Sequence, residues 1–554
     1  MQSSNLARRG WILLFIGIAT FYLFGLGAFP LAGPDEPRYV EVAREMLSRH
    51  DLITPTLGGL PWFEKPPLLY WLIIASFRVL GVSEYAARLG PAACALLCAV
   101  GVFWISNRVA DHQARLAGKS EWNDSFPVLS ALVFLSSGGV VVFARGATFD
   151  IVVTMTLTVA LACFFVSEIA SASSSDYTFP FLLGFFFFVG LSLLAKGLVG
   201  IVIPFSVIGA YFVMRRTWPG RKLLISLIWG IPLSALVAGL WYGPMISRHG
   251  WIFLDQFFIQ HHFQRFISQK FHHPQPFYFY LLILPLLVLP WTVFLVSSLI
   301  GTRHWNWRGE SARDRVRVFA LAWIAAPLIF FSLSQSKLPA YILPTLPAVA
   351  LLIGDRLTSS PPSAGDRHAA RITGALAVLV PIGGALYVTR QMGIAPFVSG
   401  ICVLPPVLVG LVLLFRPRPR GGSFALIAGG TLVSCALAIE LAAPAVANHY
   451  TVRNLIEKAN ARGYGSAPVV QLHDIERTAE FYAAGRISYD ARGEPIKLES
   501  VTEVAEAAKR AQSPILVIVP KKYERQLSQS PLLQSEPIAD NGAVILFLVR
   551  SSKP

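Results

Sequence analysis

The sequence is short of charge. Only 14% of its 554 residues are Asp, Glu, Lys or Arg, whereas soluble globular domains carry about a quarter, so most of this chain is not a water-covered globule. Cysteine is scarce as well. The five present, Cys94, Cys98, Cys163, Cys402 and Cys435, all fall inside apolar runs. There they read as small buried apolar side chains, and no disulfide framework or zinc spacing is visible. No G-x-G-x-x-G follows a strand, which leaves a nucleotide fold without support, and no H-E-x-x-H occurs. No small-residue cleavage site follows the first apolar run, so the segment from Trp11 to Pro30 reads as a retained span and not as a signal peptide.

What the chain does have is apolar length. It is 54% hydrophobic, with 38 Phe and 13 Trp, the composition of a polytopic α-helical membrane protein. A net charge of +16 would point to nucleic acid in a soluble protein. In a membrane protein, Arg-rich short loops are instead the expected orientation signal, and no nucleic-acid partner is implied. Thirteen runs have spanning length, at 11–30, 86–107, 126–144, 150–168, 179–195, 197–214, 223–241, 278–300, 318–334, 340–356, 372–389, 396–415 and 424–444. A further candidate, Pro66 to Gly81, is short, holds Arg78 and begins with two prolines. Leaving it out puts the basic loops 108–123, 215–222, 303–317, 356–371 and 416–420 on one side with Arg8 and Arg9, as the positive-inside rule asks. It is therefore expected to lie at the interface as a juxtamembrane helix. Residues 1–444 then form a membrane domain with a first outer loop at 31–85 and a His-rich outer loop at 242–277. Residues 445–554 form a small outer α/β domain: TVRNLIEKANARGYG and SVTEVAEAAKRAQ read as helices, and PVVQLHD, PILVIVP and AVILFLV as short buried strands.

The same topology sorts the charged residues. Outside lie Asp35, Glu36, Arg38 and Tyr39 in GPDEPRY, Glu64 and Lys65 in PWFEKPPL, Arg145 and Asp150 in ARGATFD, Lys196 in AKG, and Lys337 and Tyr341 in SQSKLPAYILP. Ionisable residues at the ends of spans are costly and face a cavity or a partner, so their gathering suggests a polar site at the outer boundary. Plainer roles compete. Asp35 is placed to cap a helix starting at Glu36 or Pro37, Glu64 and Lys65 could be an interfacial ion pair, and Lys196 and Lys337 could snorkel to water. The loop holding His249, His261, His262, His272 and His273, together with Arg265 and Lys270, suits phosphate contact in the headgroup layer. Zinc held by Glu64, His261 and His262 is the alternative there.

The segments GPDEPRY (33–39), WFEKPPLLYWL (62–72), RGATFDIVVT (145–154), AKG (195–197) and SKLPAYILP (336–344) together resemble the membrane-embedded glycosyltransferases of the GT-C fold related to protein mannosyltransferases. The similarity covers about the first 360 residues. EKPPL and SKLPAY, with thirteen spans and a small outer domain, are most similar to the bacterial 4-amino-4-deoxy-L-arabinose transferases. That resemblance implies transfer of aminoarabinose from undecaprenyl phosphate to lipid A phosphates at the periplasmic face of the inner membrane, giving polymyxin and cationic-peptide resistance. It implies Asp35 as the essential carboxylate with Glu36 beside it and Asp150 as a second acid. Lys65 and Arg38 would meet the lipid phosphate, with Tyr39, Lys196, Lys337 and Tyr341 as further donor contacts and Arg265 and Lys270 toward the acceptor. The one cofactor to consider is a divalent metal, zinc, and the partners are the lipid-linked sugar, lipid A and membrane lipids around a monomeric protein. For a hydroxyl acceptor Asp35 would be a general base; for a phosphate acceptor it would position charge or stabilise an oxocarbenium-like centre. Direct displacement implies inversion. A polyprenyl-phosphate hexosyltransferase acting on protein or glycan shares these motifs, and a transporter is the reading from a different class. The C-terminal 190 residues carry no motif of the family.

Overall fold

The computed structural model describes residues 2–116, 125–172, 178–264, 275–358, 364–417, 421–490 and 493–551. Arg265, Lys270, His272 and His273, and the side chain of His262, lie outside the described set. The chain divides into two compact units: residues 1–24, 63–69 and 88–437 in the first, and 25–62, 70–87 and 438–554 in the second.

The first unit is a helical membrane bundle. Nine described helices are long and apolar enough to cross a bilayer, or up to eleven if each of two bent pairs counts as one span. The first helix stops at Leu23 rather than running to Pro30, because Gly25 takes φ +65° and turns the chain out of the helix. The run 126–144 is bent by 59° between Phe126–Leu135 and Gly138–Ala144. At the bend the Ser136 and Ser137 hydroxyls donate back to the Leu132 and Val133 carbonyls, the local bonding that bends helices. The run 278–300 is bent by 117° around Pro290, which has no N–H to give the ladder. The two bends meet: Gly138 N donates to Leu289 O at 2.8 Å and Trp291 Nε1 donates to Ser136 Oγ at 3.0 Å. Helix Arg221–Leu254 runs far beyond the apolar stretch ending at 241 and breaks at Gly250 (φ 54°, ψ −133°), so the start of the expected His-rich loop is helical.

At the bundle end opposite Asp150, arginines of the basic loops are tied to acids of the spans. Arg313 and Arg317 hold Asp355 at 2.6 and 2.7 Å, Arg315 holds Glu168 at 3.1 Å, and Arg356 holds Asp366 at 2.6 Å. Residues that serve as an orientation signal in the sequence also knot the helix ends together.

The second unit builds a five-stranded sheet in the order β4 (Lys497–Leu498), β3 (Val469–Leu472), β5 (Ile515–Pro520), β7 (Val544–Ser551) and β6 (Leu533–Asp540), and a small hairpin of β1 (Thr56–Leu57) and β2 (Leu60–Pro61). β3 runs parallel to β4 and β5, and β7 antiparallel to β5 and β6. The unbroken apolar run ILVIVP follows from coverage of both faces. Leu516 and Ile518 pack with Leu455, Ile456 and Ala479, while Ile515, Val517 and Val519 pack with Val504, Ala508 and Leu527. SVTEVAEAAKRAQ supplies helix Val501–Ala511, whose first turn is closed by the Ser500 hydroxyl accepting from Glu503 N. Helix Glu36–Ser48 of the first outer loop belongs to this unit.

Helix Leu68–Leu80, the segment with two leading prolines, has 13 residues. At 1.5 Å per residue it reaches about 20 Å, short of a hydrocarbon core of roughly 30 Å.

Candidate functional site

In the membrane unit the motif residues Asp150, Lys196 and Tyr341 come together. Asp150 stands in the first turn of Phe149–Ala172 and Lys196 ends Thr178–Lys196, so each charge sits where its helix dipole favours it. Gly197 follows with φ +65°, and its N–H donates to Leu193 O, the C-terminal stop that a residue with Cβ resists. The Lys196 ammonium donates to Asp150 Oδ1 and lies 4.6 Å over the centre of the Tyr341 ring. Both charged side chains are mostly buried. A carboxylate, an ammonium and an aromatic face thus share one partly desolvated spot, where an approaching anion or cation would feel a far stronger field than in water.

Around it, SKLPAYILP folds as a 3₁₀ turn over Pro339–Thr345. Tyr280 donates from its hydroxyl to Leu338 O at 3.2 Å, and Phe331 packs 5.3 Å from Tyr341. Lys337, expected toward the donor, is buried and donates to Ser334 O at 2.5 Å and Gln275 O at 3.0 Å. Its ammonium clamps two loops, and burial lowers its pKa. Arg145 donates to Phe21 O at 2.6 Å and Phe24 O at 2.8 Å and stacks over Phe21, so ARGATFD pins the last turn of the first span. Ahead of Glu64 and Lys65, Phe63 packs 5.0 Å from His249 and 5.5 Å from Phe253. Among the described residues, no three His, Cys, Asp or Glu side chains gather as metal ligands; of the zinc candidates Glu64, His261 and His262, the side chain of His262 lies outside that set.

The second unit holds the other motif. Asp35 occupies the N-cap position of Glu36–Ser48, but its carboxylate makes no cap hydrogen bond. The backbone there is helical (φ −94°, ψ −44°) and turns the side chain away from the first N–H groups. Instead Asp35 Oδ1 accepts from Arg38 Nη2 at 2.6 Å, while Arg38 Nε donates to Pro34 O at 2.8 Å and the guanidinium lies 5.5 Å over Trp62. Glu36 Oε2 accepts from Ala32 N at 3.1 Å, folding the acidic turn back on itself, and Tyr39 is buried. Arg38, expected to face the lipid phosphate, is engaged by Asp35, which stays half exposed.

Residues that no motif signalled hold this turn. Tyr482 accepts from Leu31 N at 2.7 Å and donates to Glu84 Oε1 at 3.0 Å, and Arg453 pairs with Glu84 at 3.3 Å. Glu45 accepts from Gly58 N and Gly59 N at 2.6 and 3.0 Å. Glu41 is buried and paired with Arg44 at 2.5 Å, and Arg44 stacks 4.9 Å over Phe481. Burial, reinforced by Glu45 and Glu480 and opposed by Arg44, pushes the Glu41 carboxyl up to about 7. Partners lying hundreds of residues apart leave no periodic trace in a single sequence.

A multi-pass helical bundle with an acid–lysine–tyrosine cluster at one end and a small mixed-sheet unit has the fold of membrane-embedded glycosyltransferases. The solved structures that bear this out are those of ArnT from Cupriavidus metallidurans. The form bound to undecaprenyl phosphate matches with TM-score 0.77 at 21% identity over 97% of this chain and 98% of that one, and the apo form with TM-score 0.73 at 21% identity over 98% of each. The chain belongs to the dolichyl-phosphate-mannose-protein mannosyltransferase family, whose model matches residues 9–306, more than half its length. Among curated relatives, the undecaprenyl phosphate-alpha-4-amino-4-deoxy-L-arabinose arabinosyl transferase of Edwardsiella ictaluri is 31% identical over 378 residues, covering 68% of this chain and 64% of that protein. Its Yersinia enterocolitica counterpart is 33% identical over 348 residues, covering 62% and 58%. The matched region spans less than two thirds of these relatives.

Proposed function

We propose that this protein transfers 4-amino-4-deoxy-L-arabinose from undecaprenyl phosphate to lipid A phosphate groups at the periplasmic face of the inner membrane, with inversion, conferring resistance to cationic peptides. The observation that carries the reading is the Asp150–Lys196 pair under Tyr341, built from motif residues at the ends of spans. It combines a cation for a phosphate leaving group with a carboxylate for an aminosugar ammonium. The names of the relatives supply the sugar and the carrier.

In the proposed reaction the bond from the anomeric carbon to the carrier phosphate breaks, and its electron pair stays on the phosphate oxygen. The new bond forms from an acceptor phosphate oxygen that is already anionic, so no base is needed to deprotonate it. Asp35, half exposed, is assigned the role of orienting charge, and Lys196 that of offsetting the charge gathering on the leaving phosphate. A hydroxyl acceptor, as in a hexosyltransferase, would instead require Asp35 to take a proton.

The test is transfer in vesicles from undecaprenyl phosphate aminoarabinose to lipid A, and in parallel from a polyprenyl phosphate mannose. The first donor alone is expected to react, and Asp35→Asn, which removes a charge placed for the transition state, to slow transfer by about 10²-fold or more. Robust transfer from the mannosyl donor with none from the first overturns the substrate; an Asp35→Asn protein of full activity removes that carboxylate from the mechanism.

A further inference from the structure

Away from the charged cluster, an apolar groove of about 170 Å³ lies inside the membrane unit, lined among others by Gly138, Leu289, Thr373, Ala377, Val409 and Ser434. Its walls are helices Ala364–Met392, Pro396–Phe415 and Gly421–Leu437, and its floor is the place where the two bent helix pairs meet. Backbone that leaves the helix within a membrane is tolerated where it is covered or lines a cavity. Val380 of the lining is 47% exposed, and elsewhere on the same helix Ile372, Leu379 and Leu386 are 52% to 67% exposed. That surface meets hydrocarbon and not water.

One group in the groove is out of keeping with a filler of plain hydrocarbon. Thr373 is 1% exposed and its hydroxyl has no hydrogen-bond partner. The neighbouring hydroxyls of Thr431 and Ser434 donate to Ile427 O and Cys402 O. Leaving a buried hydroxyl unpaired costs about 1 to 3 kcal/mol, and an acceptor arriving in the groove would recover that. Its depth indicates which acceptor. Arg371, two residues earlier, is exposed, and Arg367 lies one turn before it, also exposed. A Cβ on Gly374 would come within 2.7 to 3.2 Å of Gly410 O, Leu413 Cβ and Leu414 N. The antiparallel neighbour therefore brings exposed Arg416 to the same end as Arg371. This is the bundle end opposite Asp150, and Thr373 stands two residues beyond Arg371 on the same helix.

We propose that the groove binds one acyl chain of an anionic glycerophospholipid from the leaflet at this arginine-rich boundary. The chain fills the apolar trough toward the helix breaks, the ester carbonyl accepts from the Thr373 hydroxyl, and the headgroup meets Arg367, Arg371 and Arg416. A polyprenyl chain has no ester to satisfy Thr373, and each cation near the surface favours anionic lipid by about 1 kcal/mol. The site does not depend on which sugar the protein transfers.

The test is native mass spectrometry of the full chain released from nanodiscs of phosphatidylglycerol or of phosphatidylcholine. One phosphatidylglycerol is expected to stay bound per chain, and phosphatidylcholine to be lost. Ala377→Trp, which fills the trough, is expected to abolish retention. Thr373→Val, nearly the same shape, is expected to weaken retention about fivefold to tenfold, the effect of one hydrogen bond. Arg371→Gln with Arg416→Gln is expected to erase the preference for phosphatidylglycerol. Equal retention of both phospholipids, a polyprenyl lipid found in their place, or unchanged retention in Thr373→Val would each overturn the proposal.

Discussion

Replacing Glu41 by Gln should stabilise the second unit above neutral pH and leave it unchanged in acid. Glu41 stands on helix Glu36–Ser48, which also carries Arg38 and follows Asp35 directly, so its protonation bears on the turn that holds the acidic motif. Its carboxyl is 3% exposed and faces Arg44 and Glu45 on its own helix, Glu480 from helix Thr478–Tyr482, and Tyr489 beyond it. Burial raises it from 4.5 to about 7, so the folded unit holds a proton that the unfolded chain has released over that interval. The folded state binds more protons there, and stability falls as pH rises. The contribution is complete below about 4.5 and gone above about 7. At roughly 1.4 kcal/mol per pH unit this amounts to at most about 3.5 kcal/mol, or roughly 7 to 14 °C in melting temperature for a unit of this size. Glu480 is also pushed upward by burial, with Arg477 and Arg38 opposing, and adds slope of the same sign. Hydrogen exchange of residues 36–48, followed from pH 5 to pH 8.5, is the assay. Wild type should lose protection across the interval and Glu41→Gln should stay nearly flat; parallel curves for the two proteins would refute the reasoning.

Further outcomes follow from the other contacts. Asp150→Asn and Lys196→Met should each reduce transfer by at least about 10²-fold, and the double variant should fall well short of the product, because each single change leaves the other charge buried and unpaired. Rate constants for the four proteins give the coupling directly. Lys337→Met should lower thermal stability while leaving the donor KM within about threefold, since its ammonium is spent on Ser334 O and Gln275 O; a large rise in KM at unchanged stability would return it to the donor site. Gly58→Ala should destabilise the second unit by more than about 2 kcal/mol, because φ is +63° and a Cβ would lie 2.1 Å from the Tyr489 ring. Thermal unfolding measures it.

The membrane class and the residues of the charged cluster were legible in the sequence, whereas the thirteen expected spans compare with nine to eleven described helices of spanning length. Each rests on short-range facts: run length against bilayer thickness, arginines beside span ends, and acids placed where a helix begins. Asp150, Lys196 and Tyr341 were all named from motifs, and the structure brings them into contact. Strands β5 and β7 were readable because sheets covered on both faces leave unbroken apolar runs, and β3 despite Gln471 because the rest of VVQL is apolar.

Tertiary structure decided how those residues are used. The Asp35 carboxylate was positioned to cap a helix by sequence, yet the backbone angle at the cap turned it onto Arg38. Lys337 looked like a phosphate contact and became a clamp on two carbonyls. Nothing local distinguishes a lysine that reaches outward from one that folds back; the positions of neighbouring carbonyls do. Likewise the grouping of the first outer loop with the C-terminal sheet rests on Tyr482 meeting Leu31 and Glu84 across some four hundred residues. The sequence determines which groups can bond. Only the folded chain determines which of them are close enough, and dry enough, to do so.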